Sequence, residues 1–261
     1  MKKLLFMLLC AAFLSMPAGA LTEETPLGEL PQVLQGMNPP GSTVEETPLG
    51  DVTADAVRQA TGADVVILNG GDFAANLQGG EVRPADIQAL FYENRNIACL
   101  ELTEYQLRQW LEHGISATVV GEDERIDPAA SSFGGFPQVS GLTLEFDPTA
   151  PVGARIRSLS VENAEYPLTV ACTDFMAAGG YGYPSMGNAE ETAITLTGSM
   201  EDYFRGKTIT IPEQDRVVCV GTADSSLMAG YPAALFLLVA AIALFQRGRN
   251  KDKEVWLDIG K

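Results

Sequence analysis

The residue types that most often carry catalysis or bind metals are scarce in this chain of 261 residues. Its one histidine, His113, lies in the stretch Leu-Glu-His-Gly near a helix end, where a cation interacts favourably with the helix dipole. Cys99, Cys172 and Cys219 each lie in an apolar stretch and lack the paired spacing of a zinc site. The sequence therefore predicts no catalytic residue, no metal ligand and no cofactor, and it leaves open whether two of these cysteines form a disulfide.

A double glycine after an apolar run is the first candidate for ligand binding. Residues 64–68 are strand-like, with three β-branched residues in a row at 65–67, and the chain then turns abruptly at Asn69, Gly70 and Gly71. Paired glycines allow either a sharp bend or the close approach of a backbone to a ligand. The local sequence by itself favours an ordinary turn after a strand.

A second glycine-containing stretch, TDFMAAGGYGYP, includes the aromatic residues Phe175 and Tyr181 on either side of Gly179 and Gly180. An aromatic ring beside such a turn is as often a packing residue as a platform for a ligand. Both interpretations of Phe175 stay open from the residues alone.

The elements that must position these loops alternate between helix and strand early in the chain and are mostly strands later. Val52, Ala56, Val57 and Ala60 share one helical face that ends before Gly62. Further helices are predicted at 84–91 and after residue 103, where Thr-Glu-Tyr-Gln forms a capping box, and strands are predicted at 96–102 and repeatedly after 136. This order predicts an α+β domain over residues 46–221, with a mixed sheet and packed helices.

Both ends of the chain carry membrane signals. Residues 1–20 combine two lysines, an apolar run and Ala-Gly-Ala, which is typical of a cleaved signal peptide, with an uncleaved anchor as the alternative. Residues 21–45 are rich in Pro and Gly, like a linker. Residues 227–245 lack charge and precede a basic tail at 246–261, which predicts one transmembrane helix with a cytoplasmic tail rather than a buried core helix. The domain is therefore expected outside the cell, tethered to its membrane.

The charge balance excludes one class of partner. The chain has 17 Lys and Arg against 34 Asp and Glu, and all of the acidic excess lies in the predicted extracellular part, because both ends of the chain are net basic. Such a surface repels nucleic acid and anionic lipid.

Four segments together resemble one family. TPLGDVTADAVRQATGADVVILNGGD, ELTEYQLRQWLEHGIS, PQVSGLTLEFDP and TDFMAAGGYGYP are similar, in order and spacing, to the C-terminal domain of the 5′-nucleotidases. Those extracellular enzymes dephosphorylate nucleotides and also hydrolyse UDP-sugars or cyclic nucleotides. The resemblance implies that a separate N-terminal domain carries the metals and the chemistry, while this domain grips the nucleoside.

The same resemblance implies ligand contacts that this chain has replaced. The family pattern Asn-Gly-Gly-x-x-Arg ends here at Ala74, so the arginine is missing. Glu93, in Tyr-Glu-Asn-Arg, stands where a stacking phenylalanine is expected, unless Tyr92 or Phe91 takes its place, and Tyr181 stands where an aspartate binds ribose. Phe175 is the ring that remains.

These departures define the functional expectation. Asp72 and Phe73 are expected at the rim of a shallow, negative cleft that is also lined by Phe175 and Tyr181. The sequence then favours a catalytically silent module that binds a nucleoside or another small ligand. The alternatives are the substrate-binding half of a split hydrolase, whose metallophosphoesterase domain is a separate chain, and a purely structural surface protein.

Overall fold

A five-stranded mixed sheet forms the centre of the fold in the computed structural model, which describes residues 25–37 and 40–222. The strands in chain order are β1 (Gly28–Leu30), β2 (Val65–Asn69), β3 (Gly80–Val82), β4 (Asn96–Leu102), β5 (Pro137–Ser140), β6 (Leu142–Phe146), β7 (Ile156–Val161), β8 (Leu168–Thr173), β9 (Glu190–Thr195) and β10 (Val217–Cys219). The central sheet has the order β5-β2-β8-β4-β9. Within it, β2 and β8 run parallel and the other neighbouring pairs are antiparallel.

Two smaller sheets and six helices complete the described part. The order β10-β6-β7 forms one small sheet, and β1 pairs with β3 in the other. The helices are α1 (Pro48–Thr61), α2 (Pro84–Gln88), α3 (Glu104–Gly114), α4 (Pro128–Ser131), α5 (Asp174–Ala177) and α6 (Leu196–Phe204). The predicted α+β class, a mixed sheet with packed helices, is confirmed. The strand predicted at 208–212 is not formed, and Thr208 makes only an isolated bridge to Glu29.

The apolar run of β2 is buried on both faces of the central sheet. Val66 and Leu68 belong to one core, which α1 and α6 cover, while Val65 and Ile67 belong to the other. On that second side, Trp110 of α3 packs in the same core as the small sheet that contains β6. A strand covered on both faces needs a continuous apolar sequence, and this explains why β2 lacks the alternation of a surface strand.

The helix ends follow from local sequence. Thr47 caps α1 by accepting a hydrogen bond from the Gly50 N–H, and Gly62 ends the helix in the left-handed conformation with φ of 69°. The predicted capping box of α3 is present, since Thr103 accepts from the Gln106 N–H and the Gln106 side chain accepts from the Thr103 N–H. These caps satisfy N–H groups that have no partner inside the helix.

The segment expected to be a linker packs against the domain where the structure describes it. Leu27, Leu30 and Leu34 are buried in the same core as α1 and α6, and Leu34 forms a bridge with Leu77. Burying these leucines stabilises the fold by about 1.5–3 kcal/mol each. A segment that is rich in Pro and Gly thus contributes the strand β1 and buried leucines to the domain.

The predicted membrane segments fall outside the described residues. These segments are residues 1–20 and 227–245. Within the described residues 25–37 and 40–222, no helix is long and apolar enough to cross a bilayer. Cys99, Cys172 and Cys219 are described, and all three are free thiols.

A buried cluster of charged groups ties β10 to α1. One Glu46 carboxylate oxygen accepts hydrogen bonds from the backbone N–H groups of Arg216 and Val217, at 2.9 and 2.7 Å. The Arg216 guanidinium forms two hydrogen bonds to the Asp55 carboxylate, at 2.8 and 2.9 Å. Asp51 is fully buried beside them, and its burial, followed by the charge of Glu46, raises its pKa to about 9.

Replacing Asp51 with Asn should reduce the pH dependence of the free energy of unfolding. The pKa of Asp51 lies above its ordinary value of 3.8 in the folded protein, so the folded state holds a proton that the unfolded chain releases. The stabilisation from protonated Asp51 is therefore complete below pH 3.8 and is lost as the pH rises towards about 9. Over that range the free energy of unfolding falls by up to about 1.4 kcal/mol per pH unit. Asp51→Asn keeps the shape of the protonated acid, so urea titrations should show a shallower slope.

Asp202→Asn is the matched control, because Asp202 is exposed and forms a surface ion pair with Arg205. It should leave the wild-type slope unchanged. Parallel curves for Asp51→Asn and wild type would mean that Asp51 is ionised in the folded protein.

Candidate functional site

The two glycine-containing loops meet because β2 and β8 are parallel neighbours. Val65 pairs with Val170 and Val66 with Ala171, so both strands end at the same edge of the sheet. Asn69 to Asp72 follow β2 through a 3₁₀ turn, while Phe175 and the Gly180–Gly182 turn follow β8. In open sheets, ligands commonly bind at the carboxyl ends of such strands.

The double glycine is used for close packing of the loop. A Cβ atom at Gly70 would overlap the carbonyl oxygen of Ser42, and one at Gly71 would lie 2.5 Å from the Tyr181 hydroxyl oxygen. The Gly70 N–H donates to the Phe136 carbonyl at 2.8 Å, and the Gly71 N–H donates to the Gly134 carbonyl at the same distance. Both N–H groups are thus already paired, and these glycines shape the wall of the site.

The predicted site residues beside the double glycine are Asn69, Asp72 and Phe73, and they differ in where their side chains lie. Asn69 is fully buried, with its amide nitrogen 3.5 Å from the Thr173 hydroxyl oxygen. Phe73 is only 1% exposed and packs on Phe91 with ring centroids 5.6 Å apart. Its expected place at the rim of a cleft is therefore wrong, because its side chain points into the core below the loop. Asp72 is also buried, at 5% exposure, so it does not lie at a rim either, and it reaches the site through its ion pair with Arg95.

Arg95 is the site residue that sequence reasoning missed. Its guanidinium carbon lies 4.3 Å from the centroid of the Phe175 ring, in the geometry of a cation–π contact. Its Nε lies 3.3 Å from an Asp72 carboxylate oxygen, and its Nη2 lies 3.0 Å from a Glu93 carboxylate oxygen. The signal that could have found it is its place in Tyr-Glu-Asn-Arg, the segment that replaces the expected second ring.

The loop after β8 holds an aromatic pair in a fixed arrangement. The rings of Phe175 and Tyr181 meet edge to face, with centroids 5.2 Å apart. Gly179 and Tyr181 both have positive φ, at 96° and 52°, and the Gly180 backbone lies directly against the Phe175 ring. A non-glycine residue with positive φ is uncommon, and the packed surroundings of Tyr181 maintain it.

His113 supports this arrangement from α3. Its Nε2 donates a hydrogen bond to the Tyr181 carbonyl oxygen at 2.9 Å. Its ring also packs edge to face on Phe133 and Tyr183, at centroid distances of 5.6 and 4.8 Å. The contacts of His113 are those of a packing residue that holds the loop in place.

The electrostatics of the site differ from a simple negative cleft. Burial raises the pKa of Asp72 to about 6, against the attraction of Arg95, which lowers it, and the charge of Asp174 also raises it. At neutral pH the Asp72 carboxylate therefore faces the Arg95 guanidinium, which the sequence pattern did not place there. The expected negative cleft thus contains one cation, Arg95, and carboxylates still outnumber it.

The arrangement brings aromatic rings, a guanidinium and carboxylates together. Phe175, Tyr181 and Arg95 offer stacking surfaces, and Asp72 and Glu93 offer carboxylate oxygens. Across residues 25–37 and 40–222, no group of three or more His, Cys, Asp or Glu side chains has the geometry to hold a metal ion. The sequence-predicted Gly179 and Gly180 lie at the same edge, where they shape the loop.

Gly71→Ala should destabilise the protein by about 1–3 kcal/mol, because the added methyl group would overlap the Tyr181 hydroxyl and the Gly134 backbone. Urea unfolding would measure the loss. Gly121→Ala is the control, since its Cβ would meet the end of the Asp123 side chain at 3.1 Å and the Arg125 carbonyl at an ordinary contact distance of 3.7 Å, and it should change stability far less. Equal midpoints for the two variants would show that the Gly71–Tyr181 contact is not tight.

Comparison with known proteins places this chain in a family. The family model described as "5'-nucleotidase, C-terminal domain" matches residues 26–188. The trifunctional nucleotide phosphoesterase protein YfkN of Bacillus subtilis (strain 168) is 28% identical over 135 residues, which cover 48% of this chain and 8% of that protein.

Solved structures agree with this match. A 5′-nucleotidase precursor from Thermus thermophilus superposes with a TM-score of 0.64 at 22% identity, over 82% of this chain and 42% of that one. A putative 5′-nucleotidase from Staphylococcus aureus gives 0.62 at 13% identity, over 76% and 41%. The chain thus spans about two fifths of these structures and less than a tenth of the curated relative. It belongs to the 5′-nucleotidase C-terminal domain family.

Proposed function

We propose that this protein is a membrane-tethered extracellular module that binds a small ring-containing ligand and is catalytically silent by itself. The observation that carries the proposal is the aromatic pair of Phe175 and Tyr181, fixed at 5.2 Å beside the Asn-Gly-Gly loop at the shared edge of β2 and β8. Aromatic platforms bind flat rings by stacking, which contributes about 1–3 kcal/mol per base in nucleic-acid sites. The ligand class is a nucleoside or a similar ring.

We expect the module to lack catalytic activity because of the side chains that it carries. The only histidine of the sequence, His113, is engaged with the Tyr181 carbonyl and two rings. A dinuclear phosphoesterase centre needs several histidine and carboxylate ligands arranged together. By the resemblance, this chemistry belongs to a separate N-terminal domain of the family.

The preference for a neutral ring over a nucleotide follows from charge. Ala74 replaces the arginine of the family pattern, and Asp72 and Glu93 pair with the Arg95 guanidinium on the Phe175 ring, while the charge of Asp174 acts on Asp72. Arg95 is already paired with two of these carboxylates. An added phosphate would therefore meet repulsion that the single guanidinium does not offset.

The location is part of the proposal. The amino-terminal residues 1–20 have the pattern of a signal peptide, and 227–245 followed by a basic tail has the pattern of a membrane span. Together they would hold the domain on the outer side of the membrane.

A second candidate is the substrate-binding half of a split hydrolase. This candidate is suggested by the coverage, since the chain spans about two fifths of the two 5′-nucleotidase structures. The metallophosphoesterase domain would then come from another chain. Phosphate release that occurs only when such a domain is added would support this candidate.

The purified full-length protein should release no phosphate from AMP, UDP-glucose or cyclic nucleotides in the presence of Mn²⁺, Zn²⁺ or Co²⁺. The reason is that one histidine cannot assemble the dinuclear centre. A colorimetric phosphate assay checks this for AMP, and chromatography of the products checks it for UDP-glucose and cyclic nucleotides, whose hydrolysis first gives phosphate esters. Turnover that survives repurification and is lost on chelation would contradict the prediction.

Adenosine should bind more tightly than AMP, and Phe175→Ala should weaken adenosine binding by about tenfold, which corresponds to one lost stacking contact. Isothermal titration calorimetry with the two ligands in parallel measures both differences. Tyr105→Ala is the control, because Tyr105 is an exposed tyrosine on α3 whose hydroxyl bonds to Gln109 of the same helix. Tighter binding of AMP than adenosine would refute the neutral-ring preference, and an unchanged affinity in Phe175→Ala would refute the platform.

A further inference from the structure

The ring of Phe175 already carries a planar group, the guanidinium of Arg95. Three contacts hold that group: the ring at 4.3 Å, Asp72 at 3.3 Å and Glu93 at 3.0 Å. The Arg95 side chain is 21% exposed and that of Asp72 is 6% exposed, so the ion pair between them is largely shielded from water. Such shielding strengthens the attraction between opposite charges.

The other neighbours of Phe175 are fixed. The Gly180 backbone lies against its ring, and Tyr181 packs on it edge to face with its hydroxyl against Gly71. Arg95 is different, because it reaches the ring through a long side chain with rotatable bonds. A ligand that stacks on Phe175 must therefore displace the Arg95 guanidinium.

We propose that Arg95 is an internal occupant of the ligand position on Phe175, and that the ligands which replace it best are planar cations. This inference rests on the proposed function and names the ligand class of the same site. The position is built for a flat positive group: one aromatic face with two carboxylates at its edge. A guanidinium, an amidinium or a positively charged heteroaromatic ring satisfies all three contacts.

Neutral and anionic rings fit less well, because they do not neutralise the buried Asp72 carboxylate. Once Arg95 leaves, the buried carboxylate of Asp72 has lost its cation, and Asp174 adds to the negative charge there. A neutral ring leaves that carboxylate without a countercharge, while an anion adds further repulsion. A cationic ring restores the balance that Arg95 provides in the free protein.

The backbone around Arg95 does not depend on its side chain. The Arg95 N–H donates to the Glu93 carbonyl, and the Arg95 carbonyl accepts from the Leu196 N–H at 3.1 Å. Nearby Asn94 accepts a hydrogen bond from the Thr197 N–H through its side chain. Arg95→Ala should therefore keep the fold and leave the position on Phe175 open.

The experiment is chemical rescue of Arg95→Ala in the full-length protein with three small probes. Methylguanidinium is planar and cationic, N-methylurea is planar and neutral, and methylammonium is cationic without being planar. Thermal unfolding and NMR titration of the Phe175 ring resonances should show that methylguanidinium binds Arg95→Ala at least about tenfold more tightly than the other two. Wild type should bind it weakly, because Arg95 fills the position.

Arg205→Ala is the matched control, since it removes an exposed arginine paired with a carboxylate on α6. It should respond to the probes as wild type does. Equal binding of N-methylurea and methylguanidinium to Arg95→Ala would overturn the cation preference. No difference between Arg95→Ala and wild type would overturn the internal-occupant role.

A nucleoside arm separates this inference from the proposed function. Adenosine is neutral at pH 7 and 1-methyladenosine is cationic, so 1-methyladenosine should bind wild type more tightly and both should gain affinity in Arg95→Ala. Failure of both nucleosides on every variant, with methylguanidinium rescue intact, would refute the nucleoside module and leave the cation position standing. Adenosine binding that requires Phe175 but is unchanged by Arg95→Ala would refute the inference alone.

Discussion

The parallel pairing of β2 with β8 is the interaction on which the site depends. Two residue pairs, Val65 with Val170 and Val66 with Ala171, set the register of strands that are far apart in the chain. Because both strands are covered on both faces, a slip of one residue would exchange the two sets of side chains between the cores. The register is therefore strongly specified, and it delivers the Asn-Gly-Gly loop and the Phe175 loop to the same edge.

Close packing fixes the conformation of the two loops at this edge. Gly71 lies against the Tyr181 hydroxyl, Gly180 lies against the Phe175 ring, and His113 holds the Tyr181 carbonyl. Each of these contacts removes freedom from a loop before any ligand arrives, which lowers the entropic cost of binding. Arg95, by contrast, reaches the ring through a side chain with several rotatable bonds.

The domain shares its fold with 5′-nucleotidases, and its own side chains set the charge pattern at the shared edge of β2 and β8. A fold permits many sites, and the chemistry resides in the particular side chains that line each one. Here the guanidinium beside the Phe175 ring belongs to Arg95, which pairs with Asp72. This cation is held between the carboxylates of Asp72 and Glu93.

The sequence by itself determined the fold class, the caps of α1 and α3, and the scarcity of catalytic side chains, because these follow from periodicity, local hydrogen bonding and composition. It did not determine that the leucines after residue 25 pack as part of the domain, since Pro and Gly dominate the local signal there. It also could not place Phe73 in the core and Asp72 in the site, because that choice depends on how the 3₁₀ turn after β2 directs each side chain. The contact of Arg95 with Phe175 was decided only by tertiary structure: the two residues come together through β4 pairing with β8, and no local pattern encodes which side chains such a pairing brings face to face.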